Sequence, residues 1–177
     1  MAEFGVNLYE SAFESWLREH AVGFALMDER KRATLTRDPI KTFDYLLPAA
    51  DGRIILAELK GRRFTGASFE RLRGLECWVT ADDVEGLAAW EKVFGTGHEG
   101  AFIFAYEVCN VDVDTDGREL FGFDGRQYVF LAVHLADYRR HMKRRSPKWR
   151  TVTLPAAAFR QCALSVKELL LDADSRC

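Results

Sequence analysis

The chain has 177 residues, of which 48% are hydrophobic and 29% charged, with a formal net charge of −2. That composition suits one domain, residues 1–177, around a single substantial core, and it argues against a general nucleic-acid coat protein. The N-terminus has no basic region followed by an apolar one, and no uninterrupted apolar run is long enough to cross a bilayer, so the expectation is a soluble, cytoplasmic protein with no membrane partner.

The first periodic segment runs from about Asn7 to His20, where Leu8, Phe13, Trp16 and Leu17 make an apolar stripe at helical spacing and Asn7 stands as N-cap. Glu10 and Glu14 lie four apart on this helix. Taken alone they read as solvated carboxylates, one of them pairing with Arg18. Val22 to Met27 is the expected first strand, and the mixed charges Asp28 to Arg32 lead into an exposed loop through Pro39.

Two apolar runs then flank Ala50-Asp51-Gly52, a strong hairpin signal because Asp and Gly tolerate the positive φ of a tight turn. In the second strand, side-chain alternation puts Ile54, Leu56, Glu58 and Lys60 on one face and Ile55, Ala57 and Leu59 on the other. The turn lies midway between Asp44 and Glu58, so the hairpin brings these two acids together at its open end, with Lys60 beside them. Crowded carboxylates resist ionising unless a cation neutralises them, and carboxylate oxygens suit magnesium or manganese. The competing reading is a turn-closing Asp and a solvated Glu-Lys pair, which the preceding Ile-Ile-Leu-Ala run disfavours.

Asp44 followed fourteen positions later by Glu58-Leu59-Lys60 resembles the PD-(D/E)xK nuclease superfamily, which includes Holliday-junction resolvases. Phe43 stands where the motif name has Pro. The resemblance implies a restriction-endonuclease-like core in which Asp44, Glu58 and the Leu59 carbonyl bind Mg2+ or Mn2+ and Lys60 positions or activates the attacking water. It also implies that a Glu early in the first helix joins the metal site. Glu10 matches that place best, with Glu14 as the alternative. Resolvases of the superfamily act as dimers, so a homodimer belongs to the same expectation.

Beyond the hairpin, Arg62, Arg63, Arg71 and Arg73 follow Lys60 with Glu70 as the opposing acid. Arginine suits phosphate oxygens, which makes Arg62 and Arg63 candidate DNA contacts, although solvated loop arginines are equally ordinary. Thr80 to Asp83 has the form of an N-terminal capping sequence before an apolar helical period that ends at Gly95, and Trp90 and Phe94 in it read as core. Ala101 to Val108 and Gln127 to Leu135 read as strands. Between them, Asp112 to Gly117 imitates half of a calcium loop, but Glu119 and Phe123 occupy positions that need an apolar residue and a bidentate Glu. An acidic hairpin tip is the better reading.

Ala136 to Arg145 resembles a short helix. Arg139, Arg140, Lys143, Arg144, Arg145, Lys148 and Arg150 form the strongest basic cluster, interleaved with Tyr138, Ser146 and Trp149. Such a run is often a solvated face; here Arg144, Arg145, Lys148 and Arg150 are candidate DNA contacts. Trp149 to Leu154 reads as a strand and Pro155 as the start of the last helix. Cys77, Cys109, Cys162 and Cys177 are widely spaced and include no C-x-x-C pair, which predicts neither a disulfide framework nor a zinc knuckle.

The expectation is therefore an α/β protein, a mixed central sheet flanked by helices with a β-rich C-terminal extension. Its expected activity is that of a magnesium-dependent deoxyribonuclease, an endonuclease by preference, in repair, recombination or defence. The alternatives are a non-catalytic nucleic-acid-binding module that keeps the nuclease fold, and a structural ion pair of the hairpin carboxylates with Lys60.

Overall fold

The computed structural model describes residues 7–173, which leaves Cys177 outside the described residues. Helix α1 (Leu8–Glu19) begins where Asn7 accepts the Tyr9 N–H, and it buries Ala12, Phe13, Trp16 and Leu17. The strand expected over Val22 to Met27 is reduced to β1 (Ala25–Leu26), both of whose residues are exposed at the edge of the sheet. Where a loop was expected there is a helix, α2 (Glu29–Leu35). Asp28 caps it by accepting the Lys31 N–H, and Glu29 pairs with Arg32 at 2.6 Å. None of its residues is buried, so it carries no apolar period to betray it.

The hairpin forms as expected from β2 (Tyr45–Pro48) and β3 (Ile54–Phe64), with Tyr45 opposite Ala57 and Pro48 opposite Ile54. Gly52 takes the positive φ of 88° at the turn, and the Asp51 carboxylate braces it by accepting from Arg53 N–H at 3.0 Å and Arg53 Nε at 2.6 Å. The predicted faces separate. Ile55, Ala57 and Leu59 pack with α1, while Leu56 and Phe64 join the opposite core.

From β3 the chain passes through β4 (Val79–Thr80) and α3 (Ala81–Phe94) to β5 (His98–Val108), which lies parallel to β3 from Ile54 opposite His98 to Phe64 opposite Val108. Parallel neighbours need a crossover, and α3 supplies it by running back along the sheet. Its N-terminus consequently stands at the C-terminal half of β3. The order continues with β6 (Phe121–Phe123), β7 (Arg126–His134), α4 (Leu135–His141), β8 (Lys143–Ser146), β9 (Thr151–Thr153), α5 (Ala156–Cys162), β10 (Leu164–Ser165) and α6 (Val166–Leu171). The main sheet has the order β1-β2-β3-β5-β7-β10, with β6 also paired to β7. A second, three-stranded sheet has the order β4-β9-β8. Helices α1 and α6 cover one face of the main sheet, and α3, α4 and α5 cover the other. This is the expected mixed α/β architecture with a β-rich C-terminal extension.

Two expectations for the C-terminal third need correction. The helix expected over Ala136 to Arg145 stops at His141, and Lys143–Ser146 is a strand. Continuing it would stack Arg139 and Arg140 one turn below Lys143 and Arg144 with no acid between. The helix expected from Pro155 is two helices, because Ala163 turns extended, Leu164–Ser165 pairs with β7, and Ser165 starts a new capping box with Glu168. Among the described residues no helix is long and apolar enough to cross a membrane.

On the α1 side of the sheet, β5 presents Ala101, Ile103 and Ala105, and β3 presents Gly61. A Cβ on Gly61 would lie 2.4 Å from Cγ and Cδ2 of Tyr9, so α1 sits as close to β3 as a bare backbone allows. Gly61→Ala should therefore lower stability by about 1–3 kcal/mol as the Tyr9 ring is forced aside. Adding Tyr9→Ala should recover part of that loss, a non-additivity measured by thermal melts of the two single variants and the double variant.

Candidate functional site

Asp44 lies just before β2, held by its N–H to the Ala57 carbonyl and by its carbonyl from the Met27 N–H, both at 3.0 Å. Because β3 runs on past the start of β2, the Asp44 carboxylate takes the place of a strand neighbour and accepts the Leu59 N–H at 2.7 Å. The N–H and C=O of one strand residue emerge on the same edge, so the Leu59 carbonyl also opens beside Asp44.

On the opposite face of β3, Glu58 is only 7% exposed, and Lys60 Nζ lies 2.8 Å from its Oε1. The same ammonium lies 3.0 Å from Oδ2 of Asp83, whose other oxygen accepts from Lys41. The Asp83 carboxylate is fully buried and also accepts the Thr80 N–H at 2.9 Å, closing the capping box of α3. Asp83 and Lys41 were not among the expected site residues. The sequence shows Asp83 only as a capping acid. What points to the site is topology: a crossover helix following the E-x-K strand must begin at that strand's C-terminal end.

Three carboxylates thus share two ammonium groups, and their proton affinities diverge. Burial raises the Glu58 pKa, the Asp44 charge adds to it, and Lys60 offsets only part, so that it settles at about 7. Asp44 is also raised, by burial above all, against the Leu59 N–H and Lys60. Burial acts on Asp83 in the same direction, but Lys60, Lys41 and the Thr80 N–H outweigh it and hold its pKa at about 2. For Lys60, burial favours the neutral amine, yet Glu58 and Asp83 prevail and raise its pKa.

Glu10 approaches Asp44 from α1. Its pKa is raised by burial and then by Asp44, against a hydrogen bond from Asn7. Glu14 is committed elsewhere, to Arg18 at 3.0 Å and the Tyr45 hydroxyl at 3.3 Å. Among the described residues no three His, Cys, Asp or Glu side chains are gathered tightly enough to form a ready metal cage. Asp44 and Glu58 instead turn to the Leu59 N–H and Lys60. The donor set nevertheless fits magnesium, an ion that keeps several waters and asks the protein for one or two carboxylates.

The expected DNA contacts divide by what they already touch. Arg62 points to the Glu58 face, stacks 4.1 Å from the Trp78 ring centroid and donates to the Gly61 and Trp78 carbonyls. Arg150 pairs with Asp82 at 3.1 Å and Glu85 at 3.8 Å. Arg63 is exposed on the other face of β3, and Arg144, Arg145 and Lys148 are exposed on β8 and the turn after it. In the acidic loop, Asp114 accepts from Ser68 and the Asp116 N–H, and Asp116 pairs with Arg118. Ser68, the Phe69 N–H to the Asp114 carbonyl and the Asp114 N–H to the Ala67 carbonyl tie this acidic loop to the 65–70 segment. Cys77, Cys109 and Cys162 are free thiols.

No protein-family model matches the chain, and no curated protein does. A solved structure does: Archaeoglobus fulgidus Hjc, a Holliday junction resolvase from an archaeal hyperthermophile, with a TM-score of 0.52 and 12% identity, covering 91% of this chain and 96% of that one. At that identity the likeness is one of fold.

The Glu58 shift has a thermodynamic signature. Its pKa in the folded chain, about 7, lies above the ordinary 4.5, so the folded state holds the proton more tightly. The carboxyl therefore costs nothing below pH 4.5, and its penalty grows as pH rises and is complete above about 7. In a chelating buffer, Glu58→Gln should raise the melting temperature relative to the wild type more at pH 8 than at pH 5. A difference that does not change with pH would mean that Glu58 titrates as an ordinary carboxyl.

Proposed function

We propose that the chain is a single-domain, divalent-metal-dependent nuclease that hydrolyses DNA phosphodiester bonds, with endonucleolytic cutting in repair or recombination as the favoured form. The observation that carries this reading is the pair of half-buried Asp44 and buried Glu58, left short of positive charge because Lys60 is shared with Asp83. The likeness in fold to a resolvase agrees with it.

Asp44, Glu58 and the Leu59 carbonyl would hold magnesium or manganese, with Glu10 as the outer carboxylate. A metal bound there supplies Lewis-acid stabilisation of the charge that develops on the phosphate. Lys60, its pKa raised, remains an ammonium at neutral pH and so acts as a donor that orients the water or a phosphate oxygen, not as the base. Asp83 positions that ammonium, and Lys41 shares the Asp83 charge. Arg63, Arg144, Arg145 and Lys148 hold the DNA backbone. Arg62 and Arg150 brace the surface from which Arg144, Arg145 and Lys148 project. The described residues carry one such site, so coordinated cutting of two strands requires a second copy, and a homodimer belongs to the proposal.

Magnesium or manganese should support cleavage of DNA while calcium supports binding without efficient chemistry. Lys60→Ala should retain metal binding by calorimetry and lose roughly 10²–10⁴-fold in turnover, whereas Glu58→Ala should lose both. If no linear, nicked, single-stranded or branched substrate is cut with either metal, the non-catalytic DNA-binding module takes the place of the enzyme. A Lys60→Ala protein that melts far lower yet keeps full activity when folded would reduce Lys60 to a structural ion pair.

Because metal must displace the proton from Glu58, apparent metal affinity should rise with pH up to about 7 and then level off. Titrations of the metal across pH 5 to 8 test this. A flat profile would remove Glu58 from the ligand set.

A further inference from the structure

From Lys60, cationic and aromatic side chains alternate away from the candidate site. Arg62, two residues further on the same face of β3, lies over Trp78, and Arg145 of β8 lies 5.0 Å from the centroid of that same ring. Strand β8 then turns through Pro147, Lys148, Trp149 and Arg150 into β9. The turn is fixed by the Trp149 N–H to Ser146 Oγ at 3.4 Å, the Arg150 N–H to the Pro147 carbonyl at 3.3 Å, and Arg150 at a φ of 47°. It is also fastened to α3, for the Arg150 carbonyl accepts the Ala81 N–H at 2.8 Å and its guanidinium pairs with Asp82 and Glu85. Asp83, which holds Lys60, belongs to the same helical turn.

On this mount Trp149 is 67% exposed, whereas Trp16 and Trp90 are 2% and 0% exposed. Lys148 Nζ stands 5.1 Å from the Trp149 ring centroid, and Arg144 and Arg145 are exposed beside it. A large flat apolar ring held out in water among cations has no part in the core. Phosphates satisfy the cations in any DNA, but an indole gains by stacking only where a base offers a free face, and uninterrupted duplex hides both faces of every base.

We infer that Trp149 is a stacking platform for an unpaired base of the DNA strand engaged at the Asp44–Glu58–Lys60 site. The substrate class is DNA with a single-stranded tail or gap, in preference to continuous duplex. Arg144, Arg145 and Lys148 neutralise the flanking phosphates, and the rigid turn limits the entropy lost when the base docks. The inference deepens the nuclease reading and rests on its assignment of DNA to this site.

The test uses the full chain in a chelating buffer, with a short oligothymidylate and a covalently closed duplex as probes. Oligothymidylate should quench the exposed tryptophan emission of the wild type. Trp149→Phe should abolish that quenching yet keep most of the affinity. Trp149→Ala should weaken oligothymidylate binding about 10–100-fold and closed-duplex binding by less than about two-fold. Neutralising Arg144 and Lys148 should weaken both probes alike and reduce the salt dependence. Equal losses for the two probes in Trp149→Ala, or no loss for either, would overturn the inference. So would tighter, Trp149-dependent binding of oligouridylate, which would assign the platform to RNA. Cleavage with magnesium is scored separately: selective stacking without cleavage sinks the nuclease reading and leaves the platform standing, while cleavage with an unselective Trp149→Ala does the reverse.

Discussion

Lys60 stands 2.8 Å from Glu58 and 3.0 Å from Asp83, and this divided ammonium is the contact on which the site depends. Burial works against the charged amine, but the two flanking acids outweigh it and raise the Lys60 pKa. The two acids fare differently. Asp83 also receives Lys41 and the Thr80 N–H, which fix it as an anion with a pKa of about 2. Glu58 has Asp44 as its other close neighbour and is left near 7. One carboxylate is thereby a permanent anchor, and the other is short of positive charge in a place where a divalent cation can supply it.

That asymmetry follows from topology as much as from composition. The antiparallel hairpin brings Asp44 up to Glu58 and Leu59, and the extra length of β3 beyond β2 leaves the Leu59 amide for a side chain instead of a strand. Parallel pairing of β3 with β5 forces α3 to start at the far end of β3, which delivers Asp83 to Lys60. The two faces of β5 set the packing on either side. Ala101, Ile103 and Ala105 let α1 lie close, while Phe102, Phe104 and Tyr106 fill the wider space under α3, α4 and α5.

Local chemistry explains what could be read from the sequence. The cap at Asn7, the apolar period of α1, the Asp-Gly turn, the alternation along β3 and the capping box at Thr80 all act within a few residues, and each appears in the structure where its pattern lies. Helix α2 escaped because it buries nothing, and β8 because a basic run gives the same one-sided signal in a helix or a strand. Asp83 and Lys41 escaped for another reason. Their partners come from elements remote in sequence, and a capping acid looks the same whether or not a lysine faces it. Likewise, nothing local shows that Trp78 covers Arg62 or that Asp82 and Glu85 engage Arg150.

Consecutive residues of a helix point about 100° apart, and the first turn of α3 uses this to serve two surfaces at once. Asp83 turns inward to Lys60, while Asp82 and Glu85 turn outward to Arg150 at the base of the β8–β9 turn. The main-chain bond from Ala81 to the Arg150 carbonyl adds a third fastening over the same short span. The half-buried charge of Lys60 and the exposed ring of Trp149 are therefore referenced to one rigid element, although they lie on different sheets. A displacement of the α3 N-terminus would disturb the ammonium and the basic turn together, so the fold couples the groups proposed for chemistry to the surface proposed for holding the strand.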